Sequence, residues 1–399
     1  MELSDTGCAA CGRGTEANHL GLWITSTGDV FTLWLPMGRV PFHGALSRLG
    51  DAVTGFFGRI FFTLGRALGL VTLTTDVETS CSDRSRLLWL EAKRRNIPME
   101  QLLFRGQATD SFRVTIGGKT RFFKSLPLPS LGDPLRMDDK VLFKQAMRTH
   151  GLPVPESVGV TNARAAKKAL KAFGTVCVKP RSGSNGRHTY PYVQTEQDVE
   201  YALKSVKEIC AFASVEEHLE GNLCRATCVG DTMVGFLESY YPTVTGNGSS
   251  TVQELVAAAN ERRDPTLGAI VIDDSYRGYI RRRGFELDSV VPEGTRLQLT
   301  YRGGISSGGG NREHGRAIHP SFIEPIERAA RMTGLPIVGF DLIVPDAQAP
   351  ADSQKWGFVE ANSLPWIDLH AKPHQGEPID LSVHVWDLWL KEFPGYGTR

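Results

Sequence analysis

The chain has 399 residues, 41% of them hydrophobic and 22% charged, with a formal net charge of +1. That length divides into two or three lobes at about 150 residues each, and so even a charge offers no basic face, which excludes nucleic acid as a partner class. Seven scattered cysteines (8, 11, 81, 177, 210, 224 and 228) exclude a secreted disulfide framework. The first thirty residues lack a basic start followed by an apolar core, so the chain reads as cytoplasmic and reduced.

Residues 1–80 form an N-terminal extension unlike the rest. Cys8-Ala-Ala-Cys11 is a CxxC with His19 nearby. A zinc site takes four ligands, and no second CxxC or histidine pair follows, so the stretch reads as a flexible tail with incidental cysteines, a metal or redox role being the alternative. Leu46, Leu49, Val53, Phe56, Ile60, Leu64 and Leu68 repeat three and four apart, the period of an amphipathic helix. Asp51, Arg59 and Arg66 interrupt the stripe, so it falls short of the roughly 18 uncharged residues of a membrane span. Its glycines weaken the helix by about 1 kcal/mol each relative to alanine. The stripe fits core or a subunit interface, and with it a homo-oligomer.

A small lobe is expected over 81–137. Asp83 to Phe104 carries a helical pattern through Leu87, Leu88, Leu90, Ala92 and Ile97. A hairpin follows, with Phe112–Ile116 and Thr120–Phe123 joined by Gly117-Gly118. The run Gly117-Gly118-Lys119-Thr120 is not a Walker A loop, because Arg113 stands where its first glycine would be. From 138 onward β-like and helical runs alternate. The first of these is a helix capped by Asp138 and stopped at Gly151, with Pro153 beyond.

Three features carry chemistry. In the first, the apolar run Thr175–Val178 delivers Lys179 just before Pro180-Arg-Ser182-Gly183-Ser184-Asn-Gly186-Arg187. Small residues let backbone N–H groups approach phosphate oxygens, and the lysine adds a compact positive charge. Cys177, inside that run, reads as a small core residue. In the second, Ser214-Val-Glu216-Glu217-His218-Leu219-Glu220-Gly221 is a strand ending in an acidic turn, suited either to a solvated surface or to a connector that meets an adenine edge. In the third, Ile337–Val344 and Trp356–Asn362 read as two strands of one hairpin. Glu360 and Asn362, two apart, share a face. With Asp341 they offer the hard oxygen ligands that magnesium takes, and acids buried on apolar strands are costly without a cation.

Taken in order, Lys140, Lys179 with its glycine-rich loop, the Glu216–Gly221 stretch, Gly-Phe-Asp341 and Glu360-Ala-Asn362 resemble the ATP-grasp superfamily. Residues 138–390 are similar to the ATP-grasp domain of cyanophycin synthetase and of bifunctional glutathione synthetases. Thr245–Leu255, Asn260–Pro265, Gly304–Gly309 with His319-Pro320, and His370–Pro378 support that branch. The resemblance implies an α+β fold, two lobes holding ATP between them, with the ATP-grasp domain over 138–399 and its lid-bearing part at about 155–222. It also implies roles. Lys140 and Lys179 would hold phosphates under a lid of residues 182–187, and Glu216 with the backbone of Glu217, His218 and Leu219 would take the adenine. Asp341, Glu360 and Asn362 would hold one or two magnesium ions, with manganese a substitute. Arg225 and Arg302 would face the transferring phosphoryl group or the acyl substrate.

The activity so implied is ATP-dependent ligation of a carboxylate to an amine through an acyl phosphate, with amino acids or short peptides as substrates. Leu223 and Ser239 depart from the family pattern, where a glutamate and an arginine are usual. They motivate the rival reading, a degenerate ATP-binding module that regulates or scaffolds. His218 and His314 are the histidines available as a base.

Overall fold

The computed structural model describes residues 8, 10, 18–34, 62–127, 137–183, 186–264, 267–301, 303 and 308–391. Most of the 46–68 stripe, together with Cys11, Ser184 and Arg302, lies outside them. Among the described residues no helix is long and apolar enough to cross a membrane.

Helix α1 (His19–Trp34) comes first. A four-stranded antiparallel sheet follows, ordered β1 (Val71–Thr74), β2 (Met99–Phe104), β3 (Gln107–Ile116) and β4 (Lys119–Lys124). The Gly117-Gly118 hairpin forms as expected, because both glycines take the positive φ (57° and 73°) that a two-residue hairpin turn requires. The helix expected over 83–104 is shorter. Helix α2 (Asp83–Arg94) ends where Asn96 turns left-handed (φ 56°), and beyond Pro98 the chain becomes β2. The small lobe also begins earlier than residue 81, since β1 pairs with β2. Its core is shared with the last helix. Leu88, Trp89, Phe112 and Ile116 pack with Leu381, Val385 and Trp386, and the Trp386 indole N–H donates to Leu88 O at 2.9 Å.

Helix α3 (Lys140–Thr149) opens the larger unit. Its cap is Asp139, not Asp138. Asp139 Oδ1 accepts from the N–H groups of Val141 and Leu142, while Asp138 instead holds Ser363. A lid sheet, ordered β5 (Ser157–Val160), β8 (Ala213–Glu217), β6 (Val176–Pro180) and β7 (Tyr190–Val193), is backed by α4 (Ala163–Phe173) and α5 (Glu196–Val206). Valines and alanines of both layers make its core.

Residues 218–221 connect β8 to β9 (Asn222–Val229), in the five-stranded central sheet. Its order is β13 (Gly310–Glu313), β10 (Thr232–Tyr240), β9, β14 (Ile337–Val344) and β15 (Gly357–Asn362). Gly221 ends the connector at φ 143°, where a Cβ would stand 2.7 Å from Pro345 N, so only glycine lets the chain cross so close to β14. Helix α8 (Ile323–Thr333) and α3 pack on this sheet around Phe143, Phe236, Phe340 and Phe358. A satellite unit of β11 (Thr243–Thr245), β12 (Arg296–Gln298), α6 (Val252–Glu261) and α7 (Asp274–Arg282) has its own core. Helix α9 (Leu381–Leu390) closes the described chain.

Candidate functional site

The lid sheet and the central sheet enclose a cleft of about 600 Å³, lined by β6, β8 and the connector on one side and by β9, β14 and β15 on the other. β6 ends in Lys179, whose ammonium lies 3.0 Å from Glu216 Oε2 on the neighbouring strand. Lys144, one helical turn beyond Lys140, reaches Glu216 Oε1 at 2.8 Å and also donates to the carbonyls of Lys140 and Val359. Burial disfavours the Glu216 carboxylate, but Lys144 and Lys179 outweigh it and hold Glu216 below the usual range. Two ammonium groups thus share one carboxylate, and the cluster keeps a surplus positive charge. Lys179 stays above its ordinary value despite burial, because Glu216 and Glu360 both act on it. The fully buried Lys144 falls to about 8, as burial exceeds its share of Glu216.

The expected acidic cluster forms on β14 and β15. Asp341 and Glu360 stand directly opposite in the antiparallel register, with Asn362 opposite Gly339. Arg225, beside Asp341 on β9, grips it with two bonds of 2.8 and 2.9 Å. Lys140 Nζ lies 3.3 Å from Glu360 Oε2 and donates to Gly183 O at 2.6 Å, tying the glycine-rich loop to the cluster. Burial, and then the facing Glu360, push Asp341 up to about 6 despite Arg225. Burial opposes the charge of Glu360 too, but Lys140 and Lys179 pull it down to about 2. Like charges held face to face on an all-oxygen donor set are the arrangement that a hard divalent cation relieves.

A second chamber of about 330 Å³ adjoins the cleft at Lys140, Gly183, Arg187, Glu360 and Asn362. Its far wall is α1, through Leu22, Thr25, Ser26 and Asp29. Ser182 Oγ donates to Asp29 Oδ2 at 3.1 Å, Thr27 Oγ1 accepts from Ala211 N–H at 3.0 Å, and Val30 packs on Cys210 and Phe212. Helix α1 of the N-terminal extension is therefore docked against the glycine-rich loop and the lid sheet, at variance with the reading of this region as a tail. Nothing in its local sequence announces this, because the hydrogen-bond partners lie 153 and 184 residues away.

Of the other residues singled out by sequence, Gly183, Gly186, Glu217, His218 and Leu219 line the cleft. Glu217 pairs with Lys355, and the Glu217 and His218 N–H groups donate to the carbonyls of Glu156 and Thr175. The Glu216 side chain is engaged by the lysines and Ser214, so its carboxylate is a partner of ammonium groups in this arrangement. Cys177 is not simply core. It lines the cleft, and burial pushes its thiol up to about 12. His314 is tied to Glu238 at 2.8 Å, away from the cleft lining. Lys144 and Arg187 were not singled out. The signal for Lys144 was its i+4 spacing from Lys140; Arg187 had none beyond its place in the loop.

No protein-family model matches the chain. It is 30% identical over 315 residues to a cyanophycin synthetase of Geminocystis herdmanii, covering 75% of this chain and 35% of that protein. It is 28% identical to a glutathione biosynthesis bifunctional protein of Mannheimia succiniciproducens, covering 77% of this chain and 42% of that protein. A solved bifunctional glutathione synthetase from Pasteurella multocida superposes with a TM-score of 0.50 at 26% identity, covering 78% of this chain and 44% of the other. The chain thus spans less than half the length of these relatives. It resembles the ATP-grasp superfamily and has its α+β fold, and the relatives named are ATP-grasp ligases.

Proposed function

We propose that the chain is an ATP-dependent carboxylate–amine ligase that joins amino acids or short peptides through an acyl phosphate, releasing ADP and phosphate. The observation that carries this reading is the placement of the Asp341–Glu360 pair. Glu360 lines both chambers and Asp341 the larger one, with Lys140 and Lys179 acting on Glu360 and Arg225 holding Asp341. The larger chamber suits ATP. The adenine would lie against the connector at Leu219 and His218, and the phosphates would point toward Lys179, Lys140 and the loop bearing Gly183 and Gly186. The smaller chamber would hold the carboxylate substrate.

Free carboxylates resist amines because oxide is a poor leaving group. Phosphorylation supplies a good one, and the protein's share of that step is position and charge. Glu216 would hold Lys179 and Lys144 in place, while Lys179 and Lys140 neutralise phosphate oxygens. Asp341, Glu360 and Asn362 would hold magnesium, which when bound screens the charge between transferring and leaving phosphates. Arg225, kept fixed by Asp341, would steady the acyl or phosphoryl oxygen, a role shared with Arg302. The loop at 182–187 would exclude water from the acyl phosphate. In the test, amino acids and dipeptides are offered with ATP and magnesium, and acyl phosphate is trapped with hydroxylamine. Hydroxamate formed with a particular carboxylate, and ADP release stimulated by an amine, are expected. Nucleotide binding without either would refute the ligase reading.

A further inference from the structure

We infer that Cys8, His19, His188 and Glu208 form a zinc-type metal site that staples the N-terminal segment to the lid. The four residues come from two places far apart in sequence. Cys8 lies ahead of α1 and His19 is its first residue, while His188 follows the glycine-rich loop just before β7 and Glu208 follows α5. One donor atom from each lies within 4.8 Å of the other three. Cys8 Sγ is 3.7 Å from His188 Nε2, and His19 Nδ1 is 3.6 Å from Glu208 Oε2. Tetrahedral donors at zinc bond lengths stand about 3.3–3.8 Å apart, so these pairs are already spaced as ligands.

Independent features hold His188 for this role. Its backbone is left-handed at φ 47°, uncommon for a residue other than glycine, and its N–H donates to Ala10 O, two residues beyond Cys8, at 2.8 Å. Its ring is fully buried, with Nδ1 2.8 Å from Ser205 Oγ, which also accepts from Tyr190 O–H at 2.8 Å. An Nδ1–H donated to Ser205 leaves the Nε2 lone pair facing Cys8, the orientation a metal-bound histidine needs. The His19 ring meets that of His188 edge-on, with centroids 5.2 Å apart.

The donor set names the ion class. One thiolate, two imidazoles and one carboxylate are borderline donors that suit zinc, whereas magnesium and calcium prefer oxygen. Thiolate plus carboxylate also cancel the charge of a divalent ion. Because Arg187 lines both chambers and His188 is its neighbour, the metal would pin the far end of the phosphate loop and the start of the helix that walls the second chamber. The inference does not depend on the ligase reading.

The test uses the full chain without nucleotide. Zinc content is measured after reconstitution and dialysis, and cobalt(II) is substituted to report sulfur coordination optically. One zinc per chain and a thiolate-to-cobalt charge-transfer band are expected. Cys8→Ser should remove the band, and His19→Ala and His188→Ala should each lose stoichiometric zinc while circular dichroism is retained. Ser205→Ala should weaken zinc binding roughly ten-fold. Stripping zinc from the wild type should hasten proteolysis ahead of α1, and returning it should restore protection, so the inference does not rest on any variant's folding. Failure to hold one zinc, or retention of it by Cys8→Ser and His188→Ala alike, would overturn the site. Loss of zinc in Cys11→Ser but not in Glu208→Gln would overturn the assignment of Glu208.

Discussion

Glu216→Gln isolates the charge arithmetic at the heart of the cleft. The carboxylate is 2% exposed and lies 2.8 Å from Lys144 and 3.0 Å from Lys179, whose side chains are 0% and 8% exposed. Counting Lys144, Glu216 and Lys179 gives a net charge of +1, which becomes +2 in the glutamine variant. Removing one partner of a buried ion pair costs about 3–5 kcal/mol, because the remaining charge is left uncompensated. For a unit of this size that lowers the melting temperature by about 6–20 °C. Lys144→Met brings the cluster to neutrality at the expense of its bonds to the Lys140 and Val359 carbonyls. Combining the two substitutions returns the count to +1. The double variant should therefore be more stable than the sum of the single effects allows, by about 1–3 kcal/mol.

The same reasoning fixes a pH dependence. The folded-state value for Lys144, about 8, lies below its ordinary 10.5. The folded chain therefore binds fewer protons than the unfolded chain between those values, and this lysine's contribution to stability rises with pH across that window. Without the carboxylate Lys144 titrates lower still, so the deficit of Glu216→Gln should shrink as the pH rises toward about 8, where the wild-type lysine begins to lose its own proton. Thermal and urea denaturation of the wild type and the three variants, at neutral pH and again above pH 9, measures all of this. A glutamine variant within about 1 kcal/mol of wild type, or an additive cycle, would refute the shared-carboxylate account.

Further expectations concern the cleft and the small lobe. Glu360→Gln should cut ATP-dependent turnover by about 10²–10³-fold while leaving the melting temperature within a few degrees, and normal turnover would sink the metal assignment. Lys179→Ala should weaken nucleotide binding about ten-fold or more by calorimetry, as loss of a charge-assisted contact predicts; unchanged affinity would remove Lys179 from the phosphate cradle. Trp386→Ala should cost about 3–5 kcal/mol and loosen β1 to β4 in hydrogen exchange, because its ring fills the core shared with Leu88 and Phe112. Exchange confined to α9 would instead show that the small lobe stands without it.

What could be read from the chain alone follows the range of the interactions involved. Asp341, Glu360 and Asn362 were legible because strand alternation puts them on one face and a hairpin register does the rest. The β3–β4 turn was legible because two glycines in a row have few other uses. The overrun of α2 came from an apolar period that continues past Asn96, where a left-handed residue breaks the helix without breaking the pattern. Asp138 and Asp139 are identical in type, and only the tertiary contact of Asp138 with Ser363 decides which one caps. The lysines around Glu216 were half visible. Lys140 and Lys179 stood out by context, whereas Lys144 matters only because β8 delivers a carboxylate to it.

The N-terminal extension shows the limit of such reading and also bears on specificity. The parts of the cleft built from Lys140, Lys179, Asp341 and Glu360 come from residues that resemble a large superfamily. The outer wall of the second chamber comes from α1, in the extension for which the sequence suggested no relative. Where the family pattern carries a glutamate and an arginine, this chain has Leu223 and Ser239. Leu223 lines the cleft beside Arg225. Glu238, next to Ser239, is satisfied within the protein by Asn222, Tyr240 and His314. Neither Leu223 nor Ser239 lines the smaller chamber, where Thr25, Ser26 and Asp29 on the helix, with Arg187, would meet the carboxylate substrate proposed above. A metal that fixes the start of that helix would thereby set the shape in which the substrate is met.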